Sequence, residues 1–194
     1  MGSWLPARLP PLTATLIAAS IVAGLLTRLG GNADFVYPLL ISVQPGAGLP
    51  EIRGGELWRL ITPIFLHFGL LHIVFNMLWL WDLGGVIESR QGPARLGLLV
   101  LAAGVAGNLA EYAWSGPAFG GMSGVVYALL GYVWVQGRFN PRAGLALHRP
   151  VVVMMLAWFV ICWLGWVGNI ANMAHTVGLV SGLALGWIFS PRRA

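Results

Sequence analysis

The sequence predicts an all-α membrane protein, a bundle of six transmembrane helices with a short fourth helix and a long structured first outer loop. Of its 194 residues, 58% are hydrophobic and 9% are charged, and the mean hydropathy is +0.79. A soluble domain carries about a quarter charged residues. We therefore expect one compact transmembrane domain over residues 1–194, with its core at 56–189 and no extra soluble domain.

The predicted spans follow the apolar runs, which end at charges or turn-forming residues. No residue from Pro150 to Pro191 is formally charged. One helix of that length would reach about 60 Å, so the chain must fold back, at the turn-rich segment 165–172. The first run also has the length of a signal peptide, but five more runs follow it without a clear small-residue cleavage site. The six spans are 12–29, 63–87, 96–113, 122–136, 151–164 and 172–189.

Arginine placement predicts the orientation. Every basic residue is an arginine, and the net charge is +5. Because these bases lie between apolar spans, they indicate membrane topology rather than nucleic-acid binding. With the N-terminus inside, eight of the eleven arginines fall on the inner side, so both termini are expected in the cytoplasm. These eight are Arg8, Arg90, Arg95, Arg138, Arg142, Arg149, Arg192 and Arg193.

The first outer loop, residues 30–62, is too long for a simple connection. It mixes apolar residues with Glu51, Arg53, Glu56 and Arg59. That mixture predicts short amphipathic helices, partly at the membrane interface. A mobile loop is the alternative interpretation.

The fourth span is too short to cross a bilayer from edge to edge. Ser123 precedes Arg138 by fifteen residues, about 22 Å of helix. A hydrocarbon core is about 30 Å thick. The helix therefore begins inside the membrane, and the glycine-rich loop before it must enter the membrane too. Irregular backbone at that depth is tolerated only where protein covers it or water reaches it. The sequence thus predicts a serine at a helix N-terminus beside a hydrated pocket.

Four polar side chains are expected in one layer below the outer surface. Their heights above the inner membrane edge follow from counting about 1.5 Å per residue from the arginine at the inner end of each span. These heights are about 27 Å for His72, 21 Å for Asn76, 22 Å for Ser123 and 25 Å for His175. Polar groups inside spans are costly, so each needs a partner or a role. Each also has a plain structural interpretation: a membrane serine often bonds its own helix, and His72 and Asn76 can bond each other or the backbone.

The fourth and sixth spans each carry a face with small residues at four-residue spacing, which lets membrane helices approach closely. If the two faces meet, the Ser123 side chain reaches the imidazole of His175. Tyr127, one turn after the serine, either packs against the imidazole or is ordinary packing. We also expect the glycines on either side of the serine, Gly121 and Gly124, to support the site together with Tyr127. The sixth-span face consists of His175, Gly178, Gly182 and Gly186, and the fourth-span face of Ser123, Tyr127 and Gly131.

A serine–imidazole pair is the minimum for nucleophilic catalysis, since the imidazole removes the hydroxyl proton and later protonates the leaving amine. The oxyanion needs fixed donors. The Ser123 N–H, the Asn76 amide and the His72 ring can supply them. A third triad member is missing, because Asp82 lies about 12 Å from the inner edge and Asp34 lies in the outer loop.

Other chemistries fit less well. The chain has no His-Glu-x-x-His motif for zinc, and we expect no metal and no cofactor. It also has no second buried aspartate, which an aspartyl protease dyad requires. A single cysteine, Cys162, excludes an internal disulfide. Glu88 and Glu111 are interpreted as solvated or loop-tying groups. A transporter stays open, because a polar layer between helices also suits a substrate site.

Ordered motifs over about 56–186 resemble the rhomboid intramembrane serine proteases of bacteria. The motifs are ELWRLITPIFLHFGLLHIVFNMLW, LGGVIE, SGPAFGGMSGVVYALLGYVW and ANMAHTVGLVSGLALG. The resemblance implies a rhomboid-like fold in the inner membrane, with an active site that opens to the periplasm. It implies substrates with a single span, cleaved in or beside that span. Water would enter from the outer side under a movable cap between spans five and six, with lateral entry near spans two and five.

The resemblance also implies residue roles. Ser123 is the expected nucleophile and His175 the general base, with His72 and Asn76 as oxyanion donors. Trp58-Arg59 resembles the family's loop motif, and His67 its structural histidine. Tyr127 is expected under the His175 ring. The chain departs from the pattern at Met173, where glycine is common, and lacks the extra cytoplasmic domain of some members. A non-proteolytic scaffold of the same fold is the rival interpretation, and the oligomeric state stays open.

Overall fold

A computed structural model describes residues 10–168 and 170–191, and no strand occurs in this part of the chain. The all-α prediction is confirmed. The helices are α1 Pro11–Leu26, α2 Ala33–Val36, α3 Pro50–Arg53, α4 Leu70–Trp79, α5 Gly85–Gln91, α6 Pro93–Ser115, α7 Ser123–Phe139, α8 Arg149–Trp163 and α9 Asn172–Ile188.

A five-residue π turn, Leu80–Gly84, joins α4 and α5 into one continuous helix. This helix, Leu70–Gln91, and α6 are the two that are long and apolar enough to cross a membrane by length and composition. The shorter helices α1, α7, α8 and α9 occupy the other predicted spans. The number of spans and the side of each terminus stay predictions.

The helix of the second predicted span begins later than expected, at Leu70 rather than at residue 63. Residues Thr62–Phe65 form a 3₁₀ turn, and Gly69 has a φ of +148°, which an L side chain rarely adopts. Hydropathy alone cannot separate this buried irregular segment from the helix that follows. Consequently His67 lies before the helix, whereas the predicted span 63–87 included it.

Helix α7 is the centre of the fold, whereas α8 lies at its edge. Nearly all of α7 from Gly124 to Gln136 is buried. In α8 only Met155 and Cys162 are buried. Large apolar side chains on α1, α4 and α8 are exposed, an arrangement that a bilayer favours and water does not.

Helices α7 and α9 run parallel with their backbones in contact. A Cβ added to Gly178 would overlap the carbonyl oxygen of Gly124, and one added to Gly182 would overlap that of Ala128. A Cβ added to Gly131 would lie 2.9 Å from the carbonyl oxygen of Leu179. The small-residue faces identified in the sequence therefore meet, and the first turns of the two helices lie side by side.

The interpretation of Glu88 and Glu111 as solvated groups is wrong, because their residues are only 5% and 1% exposed. Each carboxylate caps the N-terminus of a distant helix. Glu88 accepts the N–H groups of Leu12 and Thr13 at 2.8 and 2.7 Å, and the Thr13 hydroxyl at 2.7 Å. The first N–H groups of a helix have no intrahelical acceptor, so a carboxylate from another helix satisfies them.

Arg59 organises the segment between α1 and α4. Its guanidinium donates to the carbonyl oxygens of Tyr37 and Leu40 at 2.6 and 2.8 Å, and to the Glu56 carboxylate at 2.6 Å. The Asn108 amide of α6 donates to the carbonyl oxygen of Leu60 at 2.9 Å. This segment is thereby held against α6, directly before the loop that leads into α4.

Candidate active site

Ser123 is the first residue of α7 and follows an irregular glycine-rich loop. Gly121 has a φ of +130°, and its N–H donates to the carbonyl oxygen of Pro63 at 3.0 Å. A Cβ on Gly120 would lie 2.6 Å from the Cβ of Leu66. The loop therefore lies directly on segment 63–66, and glycine is required for that approach. This contact fixes where α7 begins and where the serine hydroxyl lies.

His175 is the fourth residue of α9 and is 4% exposed. Its Nε2 lies 2.7 Å from the Oγ of Ser123. In the tautomer with the proton on Nδ1, the serine hydroxyl donates to Nε2. The Nδ1 atom is buried, and no described residue forms a hydrogen bond with it. The geometry thus gives a serine and an imidazole in direct contact, without a carboxylate on the other ring nitrogen.

Tyr127 lies beside the imidazole, one turn after Ser123. The Tyr127 and His175 ring centroids are 4.8 Å apart with the planes tilted by 45°. The Tyr127 hydroxyl donates to the carbonyl oxygen of Met155 in α8 at 3.0 Å. The ring therefore limits the movement of the imidazole, and its hydroxyl links α7 to α8.

His72 flanks the same loop from α4. A Cβ added to Gly121 would lie 2.7 Å from the Nε2 of His72 and 3.6 Å from the Oγ of Ser123. The Nδ1 of His72 accepts the N–H of Phe68 at 3.4 Å. This weak bond favours the tautomer with the proton on Nε2. The ring then presents an N–H donor beside the serine.

His67 supports the His72 ring from the segment before α4. The two ring centroids are 5.0 Å apart in an edge-to-face arrangement, and His67 is fully buried. Its Nδ1 lies 3.1 Å from the carbonyl oxygen of Phe65. The structural interpretation of His67 fits this position.

Asn76 lies one turn below His72 on α4 and is 5% exposed. Its amide donates to the carbonyl oxygen of His72 at 2.9 Å. One amide proton of Asn76 therefore bonds the backbone, which is the structural role that the sequence analysis gave as the alternative to oxyanion binding. Among the described residues, Asn76 makes no hydrogen bond to Ser123 or His175.

Neither aspartate considered for a triad approaches His175. Asp34 belongs to the short helix α2, and Asp82 belongs to the π turn, where it interacts electrostatically with His148. Within residues 10–168 and 170–191, His, Cys, Asp and Glu side chains form no group of three or more that could hold a metal ion.

Sequence reasoning missed the role of Glu111. Its carboxylate accepts the N–H groups of Met173 and Ala174, directly before the candidate histidine. The available signal was its charge in an apolar span, where a charged group needs a partner.

The fold and the site together define an all-helical bundle with a serine–imidazole contact near the start of its central helix. The Rhomboid domain family model matches residues 54–192. The chain belongs to the rhomboid family, which is membrane-embedded.

Named relatives agree with the family model. The chain is 38% identical over 182 residues to Rhomboid protease GlpG of Salmonella paratyphi A. It is 45% identical over the same length to the proteins of that name from Salmonella choleraesuis and Salmonella newport. Each match covers 93% of this chain and 64% of the relative. The chain thus spans about two thirds of the length of these curated relatives.

Proposed function

We propose that this chain is an intramembrane serine endopeptidase that cleaves peptide bonds within or next to transmembrane segments. The observation that carries the proposal is the 2.7 Å contact between the Oγ of Ser123 and the Nε2 of His175. The names of the relatives, which are rhomboid proteases, support the same reaction class.

In the first step the Ser123 hydroxyl attacks the scissile carbonyl carbon while its proton passes to the Nε2 of His175. The imidazolium then gives that proton to the leaving amine, and the C–N bond breaks. Water attacks the resulting acyl-enzyme, giving its proton to His175, which returns it to the Ser123 oxygen as the acid leaves. Each proton that the imidazole accepts is thus released within the cycle.

Fixed donors near Ser123 would stabilise the oxyanion. The Ser123 N–H lies in the first turn of α7, where amides have no intrahelical acceptor. The His72 Nε2 faces the same loop. The second amide proton of Asn76 is the third candidate. Such preorganised donors contribute about 3 kcal/mol each to transition-state stabilisation.

The imidazole would act without a carboxylate partner. In a triad the acid fixes the orientation and the tautomer of the histidine. Here the Tyr127 ring restricts one face of His175, and the first turn of α9 holds its backbone. We therefore propose a dyad rather than a triad.

We further propose six spans in one domain, with both termini in the cytoplasm of a bacterial inner membrane and the active site open to the periplasm. The arginine distribution supports this orientation. Single-span membrane proteins are the proposed substrates. The segment between α8 and α9 is the proposed cap, and the Trp163 indole donates to the Thr176 hydroxyl at its base at 3.2 Å.

A fluorophosphonate probe tests the nucleophile. The Ser123 oxygen would bond to phosphorus, fluoride would leave, and His175 would take the hydroxyl proton. The wild type should be labelled, whereas Ser123→Ala should not. Ser20→Ala, which removes another buried hydroxyl in α1, should be labelled like the wild type.

Cleavage of a single-span substrate in proteoliposomes tests the reaction. Both Ser123→Ala and His175→Ala should abolish cleavage, and retained cleavage by either variant would reject the dyad. A scaffold would instead bind client helices without turnover in the wild type.

A further inference from the structure

Glu111 is a buried carboxylate whose described partners lie on two helices. Its Oε2 accepts the N–H of Met173 at 2.9 Å and the N–H of Ala174 at 3.0 Å. Its Oε1 accepts the Ser115 hydroxyl at 2.6 Å. Both oxygens are thereby engaged, and the α6 side chain is fixed on the first turn of α9.

Helix α9 has no cap of its own. The N-cap residue is Ala171, whose side chain has no hydrogen-bond acceptor. The N–H groups of Met173 and Ala174 are the second and third of the helix, the two that an N-cap side chain normally satisfies. The Glu111 carboxylate replaces that cap from another helix. Its negative charge also interacts favourably with the positive end of the helix dipole.

The capped turn is the turn that carries the candidate base. His175 follows Ala174 directly, and its N–H donates to the carbonyl oxygen of Ala171 at 3.2 Å. Ala174 also lies against Gly107 of α6 and Gly124 of α7, where added Cβ atoms would lie 3.3 and 2.9 Å from its carbonyl oxygen. A shift of this turn would therefore move the imidazole relative to Ser123.

We propose that Glu111 is a positioning residue for His175. By capping α9 from α6, it sets the height and the rotation of the turn that presents the imidazole to Ser123. It acts through the backbone and not through the ring, since the Nδ1 of His175 has no hydrogen-bond partner among the described residues. The inference rests on the proposed function of the Ser123–His175 pair, and it assigns part of the orienting role of a triad acid to a helix cap.

Glu88 provides a matched control for the helix cap formed by Glu111. Glu88 is equally a buried carboxylate that accepts two N–H groups and a hydroxyl at a distant helix N-terminus. Its target is α1, which carries none of the proposed catalytic groups. Loss of the Glu88 cap should therefore lower stability without moving His175.

The experiment compares wild type, Glu111→Ala, Glu111→Gln and Glu88→Ala at a temperature at which circular dichroism shows each to be folded. The readouts are the second-order rate of fluorophosphonate labelling and the kcat and KM for a single-span substrate. We expect Glu111→Ala to lower the labelling rate and kcat by about tenfold or more, because small misplacements of a catalytic group cost that much. Its KM should stay near the wild-type value.

The conservative variant Glu111→Gln separates the hydrogen-bond geometry of the cap from its negative charge. In Glu111→Gln the amide oxygen can still accept both N–H groups and the amide nitrogen can donate to Ser115, so the rate should recover to within a few-fold of wild type. Glu88→Ala should lose thermal stability comparably to Glu111→Ala but label at the wild-type rate. Wild-type labelling by Glu111→Ala, or equal slowing by Glu88→Ala, would overturn the proposal.

Hydrogen exchange tests the positioning step without catalysis. The amides of residues 173–176 should exchange faster in Glu111→Ala and unchanged in Glu88→Ala. Unchanged exchange in Glu111→Ala would overturn the cap itself. If the wild type is never labelled while the two variants show this exchange pattern, the protease function is rejected and the cap is kept. The two failures are therefore distinguishable.

Discussion

The α-carbon of Gly182 packs against the carbonyl oxygen of Ala128, so α9 and α7 touch through their backbones. Gly178 makes the same contact with Gly124 one turn closer to the site. Because these helices carry His175 and Ser123 in their first turns, the contact sets the separation of the two side chains. Any substituent at these glycines must push the helices apart.

Gly182→Ala should therefore lower the free energy of unfolding by about 1–3 kcal/mol, the usual cost of overpacking a close interface. Gly97→Ala is the matched control, because a Cβ there would lie 3.7 Å from the Leu12 side chain, an ordinary contact. Alanine in that helix should raise stability by about 0.5–1 kcal/mol. Thermal unfolding in detergent measures both, and equal stability of the two variants would contradict the packing argument.

A second prediction concerns Gly121, where an added Cβ meets both strained backbone and the His72 ring. The φ of +130° disfavours alanine, and the Cβ would lie 2.7 Å from the His72 Nε2. Gly121→Ala should displace the His72 ring and slow fluorophosphonate labelling of the folded protein. Gly116→Ala shares a positive φ of +86° but has open space around its Cβ. It should cost about 1–3 kcal/mol of stability, because its ψ of −165° belongs to a backbone region that essentially only glycine adopts, and it should leave labelling unchanged. Equal labelling rates in both variants would refute the collision.

Arg59 provides a third prediction. Arg59→Ala leaves the carbonyl oxygens of Tyr37 and Leu40 without their donor, in a residue that is 7% exposed. We expect a loss of about 3 kcal/mol, because buried unsatisfied groups cost about 1–3 kcal/mol each. Segment 30–62 should also become sensitive to limited proteolysis. Arg53→Ala removes an exposed arginine that bonds the carbonyl oxygens of Gly48 and Ala47, and it should cost no more than about 0.5 kcal/mol. Similar protease resistance of the two variants would count against the role of Arg59.

The α7–α9 packing could be predicted because its signal is local. Gly178, Gly182 and Gly186 recur at about one helical turn, and this spacing alone places them on one face of a helix. Depth along each helix also follows from residue counts, which brought Ser123 and His175 to one layer. Periodicity and length are properties of the sequence itself, so these features needed no knowledge of tertiary contacts.

Two other features could not be predicted, for different reasons. The start of α4 was assigned too early because residues before Gly69 are as apolar as those after it, and hydropathy does not report φ. The caps by Glu88 and Glu111 join residues between 62 and 76 positions apart. A sequence shows that a buried carboxylate needs donors but not which distant helix N-terminus provides them.

The hydroxyl of Tyr127 gives the last prediction, because it bonds α8, a helix with two buried residues in all. Tyr127→Phe keeps the ring beside His175 and removes only the bond to the Met155 carbonyl oxygen. That bond contributes about 1 kcal/mol, which corresponds to about a fivefold change in the population of an open α8. Cys162, the single cysteine and a buried residue of α8, reports such opening through its rate of alkylation by N-ethylmaleimide. We expect about fivefold faster alkylation in Tyr127→Phe.

Tyr132→Phe is the control. It removes a hydroxyl of the same helix that bonds Gln91 and not α8, so it should leave the alkylation rate unchanged. Equal alkylation in both variants would show that the Tyr127 hydroxyl does not restrain α8.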